Sequence, residues 1–544
     1  MKPVFRIALL MLCACLILPL IACTTEQAPE QQTTQQDSRQ TNALQDSAEQ
    51  TQPEQESTEQ ESSEQDSSEQ PTQPPEPIEA LTPEQVVRKL SSDAKIMQTG
   101  SSTYQAILSC DWDTASAAFI QAGYAQLKAP QITATKLDTQ VLCAKDYTVT
   151  LQKTRDNLYA VWEPYCEQTL ALLFPNDATG TGEVTLAQIG IERTDQTDNP
   201  MNGMCYVYKL SDGSAVVIDG GFNTKACRDN IWNALQKLDI AKTEDGRYRI
   251  TAWILSHGHK DHRAALTGFG NNYGAQVALS YVFYNIPVSP GPLTASTFKL
   301  LEFEEKLANN FPDAQHVVPH AGLQYHFGNL TVQVLYSPEM MYQPNSAISY
   351  YNDTSLIFVA ECSGTRTLYM GDAGENAATK TWFAYGKAAF AADMLQITHH
   401  GFNTGDASHT WQYLKNIYSA TKATHGLLPM GSRLEGDARN GRYTVLIGHG
   451  AANYQISIFV NENDKHDQKY VSQEYYNAFV DSVAAGTNTQ ATLFGYDGIN
   501  KIVSETGMVT YAMGNETEAM VTLFTLGANG VNVTLNQVLA DWLE

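Results

Sequence analysis

A buried-type strand that runs into a cluster of potential metal ligands is the feature that most limits how this chain can fold. Residues 249–255 (Arg-Ile-Thr-Ala-Trp-Ile-Leu) are mostly apolar, β-branched or aromatic, which predicts a strand in a sheet interior. After Ser256 come four potential ligands within six residues: His257, His259, Asp261 and His262. The whole chain has only 12 histidines, so chance does not account for the cluster. Together with the helical pattern at 225–238, this predicts a layered α/β fold with its functional loops at strand ends.

The spacing within this cluster suits two cations. Imidazoles two residues apart on an extended turn can converge on one ion, while Asp261 and His262 on the next helical turn can face another. Gly258 allows the backbone to turn tightly. A lone histidine is more often a surface residue or a satisfied core residue, and we interpret the histidines outside such clusters in that way: His316, His320, His326, His409 and His425.

The run from His257 to His262 resembles the His-x-His-x-Asp-His signature of the metallo-β-lactamase superfamily, which is highly specific when it follows a strand. The resemblance covers roughly residues 184–515. It implies an α/β domain with the αββα sandwich of that superfamily and two bound Zn²⁺ ions, with Mn²⁺ or Fe²⁺ as the alternatives. His257 and His259 would hold the first ion, and Asp261 and His262 the second.

Three further strand ends fit the same resemblance. Asp219, in Val217-Ile218-Asp219-Gly220-Gly221, is similar to the aspartate that supports the metal loop without binding the metal. Asp372, at the end of Thr367-Leu368-Tyr369-Met370-Gly371-Asp372, is similar to the carboxylate that bridges both ions. In Met394-Leu395-Gln396-Ile397-Thr398-His399-His400-Gly401 we prefer His399 as the remaining ligand. His400 is then either a ligand or a substrate contact that donates a proton to the leaving group, and Asp261 orients the attacking hydroxide.

The sequence departs from many superfamily members between the first cluster and Asp372. Where they have another histidine, this chain has Asn352-Asp353-Thr354-Ser355-Leu356. This pattern, with the His-His-Gly, resembles the branch that contains competence-type DNA-internalisation proteins and extracellular phosphorylcholine esterases. One ion would then have fewer protein ligands, with Asn352 or Asp353 near it; we assign Asn352 a supporting role.

The resemblance implies a hydrolase that uses a metal-bound hydroxide, because two divalent cations lower the pKa of bound water and polarise the bond under attack. We expect a phosphoester substrate, either a cell-surface polymer or a small phosphodiester. The alternatives are a lactone or lactam hydrolase and a lipoprotein that binds a surface component without catalysis.

The N-terminus predicts export and anchoring. Lys2 and Arg6 precede an apolar run, residues 7–21, which is too short to span a bilayer. Leu20-Ile21-Ala22-Cys23 resembles a bacterial lipobox, which implies a signal peptide over residues 1–22 and lipid on Cys23. Residues 23–80 are dominated by Gln, Glu, Ser, Thr and Pro and predict a disordered tether. We therefore expect an extracytoplasmic enzyme held at the bacterial cell membrane.

Net charge and turn-forming residues give further information on partners and on the domain boundaries. The chain carries a net charge of −25, of which about −14 remains after residues 1–79, so nucleic acid is an unlikely partner. Thr82, Pro83 and Glu84 predict a helix start, and a small α+β domain without a catalytic constellation follows over residues 81–183. The breaker cluster at 175–182 separates it from the hydrolase domain, and residues 516–544 extend the fold.

Six cysteines lie beyond residue 80, without a Cys-x-x-Cys pair, which argues against a zinc ribbon. Export permits disulfides and the even number fits them, but buried free thiols explain the same pattern.

Overall fold

The structure of the chain is a computed structural model. The described residues are 80–127, 137–173, 182–190, 203–288, 299–341, 351–401, 417, 420–429, 443–447, 455–459, 501–503, 509–513 and 519–544. The predicted signal peptide, Cys23 and nearly all of the tether lie outside them, as do His409 and His449. Within these ranges, no helix combines the length and the apolar character that crossing a bilayer requires.

An antiparallel sheet of six strands occupies the first part, in the order β1-β2-β6-β5-β4-β3. The strands are β1 (Ile96–Gln98), β2 (Tyr104–Leu108), β3 (Ala125–Leu127), β4 (Asp138–Cys143), β5 (Tyr147–Lys153) and β6 (Leu158–Pro164). Two helices, α1 (Pro83–Leu90) and α2 (Trp112–Gln121), pack on it through a core that includes Val87 and Phe119. Thr82 caps α1 with Pro83 at its first position, as predicted. A third helix, α3 (Glu167–Leu173), follows.

The first large sheet has the order β12-β11-β10-β9-β8-β7-β23-β24, with β9 to β12 parallel. Its strands are β7 (Val184–Ile189), β8 (Cys205–Lys209), β9 (Ala215–Asp219), β10 (Tyr248–Ile254), β11 (Val277–Phe283), β12 (Gln315–Val317), β23 (Met520–Gly527) and β24 (Gly530–Val538).

The second large sheet has the order β13-β14-β15-β16-β17-β18-β22-β21, with β16, β17, β18 and β22 parallel. Its strands are β13 (Gln324–Phe327), β14 (Leu330–Tyr336), β15 (Ile357–Cys362), β16 (Thr365–Tyr369), β17 (Met394–Gln396), β18 (His425–Leu428), β21 (Lys501–Val503) and β22 (Val509–Ala512). A separate hairpin pairs β19 (Tyr443–Ile447) with β20 (Gln455–Phe459).

The two large sheets form the inner layers of a sandwich. Apolar side chains from both sheets, among them Tyr206, Phe283 and Tyr369, meet in one buried core. A second core lies on the outer side of the first sheet, where Ile231, Phe269 and Leu307 come from helices. The described helices of the sandwich are α4 (Lys225–Lys237), α5 (Lys260–Tyr273), α6 (Leu300–Asn310), α7 (Glu375–Tyr385) and α8 (Leu539–Leu543). This arrangement confirms the predicted metallo-β-lactamase-type α/β sandwich.

Short 3-10 turns connect several of these elements: Gly274–Gln276, Pro338–Met341, Tyr351–Thr354, Lys387–Phe390 and Thr398–Gly401. Two of them, Tyr351–Thr354 and Thr398–Gly401, lie beside the predicted site residues. Because parallel strands place their carboxyl ends at one edge of each sheet, β9, β10, β16 and β17 deliver their following residues to a common region.

All six cysteines beyond residue 80 are free thiols. Cys205, Cys227 and Cys362 are buried, which raises their pKa values by desolvation. Of the two explanations that the sequence left open, the structure therefore supports free thiols.

Candidate metal centre

The first half of the site is the loop between β10 and α5. His257 is the third residue after the strand and is fully buried. His259 stands at the N-cap of α5 in an extended conformation, and its side chain makes no capping hydrogen bond. Asp261 and His262 then fall in the first helical turn, where an acidic residue is favoured by the helix dipole. The local fold thus leaves the His259 ring available for the site.

Gly258 is required by close packing within this loop. A Cβ atom at this position would lie 2.0 Å from the Tyr351 hydroxyl and 3.1 Å from Ile286 Cγ2. The ring of Tyr351 lies 4.7 Å from the ring of His259. The absence of a side chain therefore lets the 351–354 turn pack against the metal loop.

The second sheet contributes Asp372 just beyond the end of β16. Gly371 has a φ of +53°, and a Cβ there would lie 2.9 Å from Ser256 Cβ and 3.0 Å from Ser355 Cβ. The backbone N–H of Asp372 donates to Ser355 Oγ at 3.1 Å. This close approach holds the buried carboxylate of Asp372 against the histidine loop.

His399 and His400 occupy a strained turn after β17. Their φ values are +49° and +56°, in the left-handed region that costs a non-glycine residue about 1–3 kcal/mol. The turn is tied to the loop that carries Asp372, since His399 N donates to Gly371 O at 3.0 Å and Thr398 Oγ1 donates to Ala373 O at 2.9 Å. These two consecutive left-handed residues send the two imidazoles to different parts of the site.

Two overlapping groups of ligand atoms result, each with its atoms within 4.8 Å of one another. The first group is His257, His259 and Asp372, and the second is Asp261, His262, Asp372 and His400. Asp372 belongs to both. Its Oδ2 lies 3.7 Å from His257 Nε2 and 3.3 Å from His262 Nε2, and its Oδ1 lies 3.5 Å from His400 Nε2.

Asp219 supports the loop from the end of β9. Its carboxylate accepts hydrogen bonds from Ser256 N and from Ser256 Oγ, each at 2.7 Å. The other ring nitrogen of His262, Nδ1, lies 2.8 Å from Asp219 Oδ2. A proton on Nδ1 satisfies this contact and turns Nε2 toward Asp372 and Asp261, where a cation can replace the second ring proton.

A backbone carbonyl does the same for His400. His400 Nδ1 lies 2.5 Å from Pro429 O, so this nitrogen donates, and Nε2 faces the carboxylates of Asp261 and Asp372. His400 is 1% exposed, whereas His399 is partly exposed at the edge of the site. His399 Nε2 is 3.9 Å from Asp372 Oδ2 and 3.3 Å from Asn352 Nδ2.

Asn352 and Asp353 have different surroundings. Asn352 contacts His399, and its Oδ1 is buried without a hydrogen-bond partner among the described residues. Asp353 accepts hydrogen bonds from Gly374 N at 3.0 Å and from Asn376 Nδ2 at 3.1 Å. Asp353 therefore fixes the start of α7, and Asn352 is the member of the pair that reaches the site.

The pKa of each group in the cluster depends on the charges of its neighbours. Burial lowers the pKa of His257 well below its usual range, and the neighbouring His262 adds to this effect. Burial also opposes charge on His262 and on Asp372, but the attraction between these two groups outweighs it. Asp261 and Asp219 further favour the charged form of His262. His400 and His399 further favour the charged form of Asp372. The pKa of His262 is consequently raised well above its usual range, and that of Asp372 is lowered well below it.

The donor set fits divalent metal ions. His257 Nε2 and His259 Nδ1 point at each other across 2.9 Å, a separation at which one shared proton or one bound cation can satisfy both nitrogens. Nitrogen donors from histidine and oxygen donors from aspartate are the ligands that Zn²⁺, Mn²⁺ and Fe²⁺ accept. The tautomers fixed by Asp219 and Pro429 leave ligand nitrogens facing inward. The cluster is therefore a candidate site for two cations that share Asp372.

The structure brings together the residues that the sequence singled out at four strand ends. The assignment of individual ligands stays a prediction, although the grouping includes His400 rather than the preferred His399. Sequence reasoning missed Ser256, Tyr351 and Pro429. Ser256 directly precedes His257 and could have been noticed, but Tyr351 and Pro429 reach the site only through tertiary folding.

Comparisons with known proteins agree with this picture. A family model described as "Metallo-beta-lactamase superfamily" matches residues 198–340, which include the loop from His257 to His262. No curated protein matches the chain.

Two solved structures are similar to parts of the chain. YhfI from Bacillus subtilis, a metallo-beta-lactamase fold protein, is 16% identical, with 46% of this chain and 86% of YhfI covered and a TM-score of 0.31. Human tRNase Z, short form, is 13% identical, with 45% and 92% covered and a TM-score of 0.28. These scores are low, so the family assignment depends on the matched residues 198–340 and on the sandwich. The chain contains a metallo-beta-lactamase superfamily domain with a candidate His/Asp metal cluster.

Proposed function

We propose that this protein is a dinuclear metal-dependent hydrolase of phosphoesters. The observation that carries the proposal is the convergence of six histidine and aspartate side chains on two adjoining positions that share Asp372. Buried titratable groups arranged in this way have little structural purpose, because a core is more stable when each buried polar atom has its own partner.

In this proposal His257, His259 and Asp372 hold one cation, and Asp261, His262, Asp372 and His400 hold the other. Zn²⁺ is our first choice, with Mn²⁺ or Fe²⁺ as alternatives. Once bound, such a pair supplies an activated water at neutral pH and polarises the bond under attack. No protein nucleophile is then needed.

The chain's own residues prepare and complete this chemistry. Asp219 and the Pro429 carbonyl fix the protonated nitrogens of His262 and His400. Asp261 is partly exposed and can accept a hydrogen bond from the attacking water. His399 is also partly exposed, so we propose that it, rather than His400, meets the substrate and donates a proton to the leaving oxygen.

The phosphoester is favoured by two arguments. Paired cations suit in-line displacement at phosphorus because they stabilise both the attacking and the leaving oxygen. The Asn352-Asp353-Thr354-Ser355-Leu356 pattern, together with His399-His400-Gly401, resembles a branch rich in phosphoesterases. The acidic net charge of this chain disfavours a nucleic-acid substrate.

We further propose that the enzyme works outside the cell at the membrane surface. The support is the leader-like N-terminus, the lipobox-like Cys23 and the polar composition of residues 23–80. Replacing Cys23 with Ala should abolish incorporation of labelled fatty acid and release the protein from the membrane. Equal labelling and retention of both forms would contradict lipid attachment at this residue.

A panel of substrates tests the reaction class. Purified protein is stripped with a chelator, reloaded with Zn²⁺, Mn²⁺ or Fe²⁺, and assayed with bis-p-nitrophenyl phosphate, p-nitrophenyl phosphate, a homoserine lactone and nitrocefin. We expect metal-dependent turnover of a phosphate ester. Hydrolysis confined to the lactone or to nitrocefin would support the runner-up enzyme, and metal binding without turnover would support a binding protein.

A matched pair of variants tests the ligand assignment. His400→Ala should lower both the bound metal and the rate, because it removes a ligand of the second group. His399→Ala should keep the metal content and lower only the rate. The reverse result, metal loss in His399→Ala alone, would restore His399 as the ligand and overturn our choice of His400.

A further inference from the structure

A second groove lies at the far end of α5 from the metal centre. Its volume is about 730 Å³, and it is lined by the C-terminal ends of α5 and α6, the 274–276 turn and the edge of β11. His259 and His262 stand at the N-terminal end of α5, and 14 helical residues span about 20 Å, so the groove is separate from the site described above.

The groove is rich in carboxamides. Seven of its 19 lining residues are Asn or Gln. Two consecutive pairs, Asn271-Asn272 and Asn309-Asn310, come from the ends of α5 and α6. A Cβ on Gly270 would lie 2.7 Å from Asn310 Cβ, so the glycine is what lets the two helix ends approach closely. The close approach brings both asparagine pairs to one surface.

Hydrogen bonds to backbone carbonyl groups of α5 orient two of these side-chain amides. Asn272 Nδ2 donates to Gly268 O at 2.7 Å, and Asn310 Nδ2 donates to Thr267 O at 3.1 Å. Their Oδ1 atoms remain as acceptors, since the amide nitrogen is the bound end. Asn271 and Asn309 are exposed and contribute both a donor and an acceptor.

The backbone adds more polar groups. Strand β11 spans Val277–Phe283, but β12 pairs with it only from Tyr281 to Phe283. Among the described strands, none pairs with residues 277–280 on that edge. Those of their amide and carbonyl groups that point away from β10 are therefore open to the groove beside the side-chain amides.

The groove carries no net charge from its lining. Its only charged lining residues are Arg247 and Asp313, which face each other at 3.9 Å, and Arg247 also pairs with Asp245. In a chain with a net charge of −25, such a surface disfavours ionic ligands of either sign and suits a neutral polar one. Groups that donate and accept side by side match neighbouring hydroxyls, which also do both.

We propose that this groove binds a neutral carbohydrate chain. The exposed carboxamides of Asn271 and Asn309 would pair with vicinal hydroxyl groups of the sugar. A glycan held here would keep the protein on a sugar-bearing surface while the metal centre remains open to its substrate.

Calorimetric titration of the metal-loaded full chain tests the proposal. The probes are maltohexaose, cellohexaose, mannohexaose and N-acetylated chitohexaose, with an extended Val-Thr repeat peptide titrated in parallel because an open strand edge can also bind peptides. We expect at least one saccharide to bind. The double variant Asn271→Ala/Asn309→Ala should weaken it by about tenfold or more, from two lost hydrogen bonds.

The matched control is Asn532→Ala, an exposed asparagine on β24 outside the groove, which should bind as the unaltered protein does. Metal content and ester hydrolysis should be equal in all three proteins, which separates a failure here from a failure of the proposed function. The proposal is overturned if no saccharide binds, if only the peptide binds, or if the double variant binds the saccharide with unchanged affinity.

Discussion

Two buried histidine clusters in this molecule show opposite arrangements of the same side chains. In the metal cluster, four histidines and two aspartates direct their atoms into two adjoining positions. In the second cluster, which we call the bridge, His320 lies between two glutamates. Its Nδ1 is 2.8 Å from Glu339 Oε1, and its Nε2 is 3.4 Å from Glu163 Oε1.

The bridge connects the small sheet to the sandwich. Glu163 belongs to β6, whereas His320 and Glu339 lie on either side of the hairpin that β13 and β14 form. Asn285 Nδ2 also contacts the Glu339 carboxylate, and Gln105 Nε2 of β2 donates to Glu339 O. Each ring nitrogen of His320 thus has its own carboxylate, one on each side of the ring.

The two clusters differ in how the charge of their side chains is balanced. Burial opposes charge on His320, but hydrogen bonds and attraction from Glu163 and Glu339 raise its pKa to about 10. A proton therefore completes the bridge. In the metal cluster the ligand atoms converge on one another, and in our proposal bound cations complete it instead. Convergence, rather than burial or the number of histidines, distinguishes the two.

The largest effect should follow from removing the residue that both halves of the metal cluster share. Asp372→Ala should lower the rate by at least about a thousandfold, because metal polarisation contributes several kcal/mol, and it should reduce bound metal. Asp541→Ala, an exposed aspartate on α8, is the control. Elemental analysis and steady-state kinetics measure both effects, and full metal with full rate in Asp372→Ala would refute the shared-ligand assignment.

Replacing the central histidine of the bridge should affect stability alone. His320→Gln leaves the buried Glu339 and the partly buried Glu163 without their cation, a change that costs about 3–5 kcal/mol of unfolding free energy. Metal content should stay unchanged. His326→Gln, a partly exposed histidine on β13, should shift stability by only about 0.5 kcal/mol. Urea unfolding in excess metal gives the comparison, and loss of metal in His320→Gln would show that the two clusters are not independent.

Asp219→Asn should have an intermediate effect on metal affinity. Asparagine tolerates the φ of +52° at this position but cannot accept from Ser256 and His262 as a carboxylate does. Loss of such support weakens metal binding by about 10- to 100-fold. Asp239→Asn has the same backbone φ on an exposed residue and serves as the control. Competition with a chelating dye measures the affinity, and equal values for the two variants would remove Asp219 from the site.

The last prediction concerns the pH dependence of the bridge. Because the folded pKa of His320 is raised from 6.5 to about 10, the bridge stabilises fully below about pH 6.5 and is lost as the pH rises through 10. Besides the two glutamates, Tyr325 faces His320, with its hydroxyl accepting from His320 N. The difference in unfolding free energy between the unaltered protein and His320→Gln should therefore shrink from pH 6.5 to 10. A constant difference would show that His320 is not charged.

The sequence could predict one cluster far better than the other. The metal ligands follow strands whose apolar patterns are clear, and the resemblance to the metallo-β-lactamase superfamily implied that Asp372 lies beside His257. The patterns predicted a layered α/β fold, and the resemblance to the metallo-β-lactamase superfamily implied the sandwich. His320 could only be classed with the satisfied histidines, because its partner Glu163 is 157 residues away and no local pattern links them.

The choice between His399 and His400 also lay beyond the sequence. Adjacent residues differ in direction only through their backbone angles, and two consecutive left-handed residues are not an expected conformation for histidine. The turn is imposed by tertiary hydrogen bonds to Gly371 and Ala373. Strain of this kind at a candidate site is where local propensity is expected to fail.

Anomalous diffraction from crystals of the Zn²⁺-loaded protein, recorded on both sides of the zinc absorption edge, tests the central claim most directly. The account predicts two peaks, one among His257, His259 and Asp372 and the other among Asp261, His262, Asp372 and His400. Peaks confined to other parts of the molecule, or a cluster that binds no zinc at saturating concentration, would contradict it.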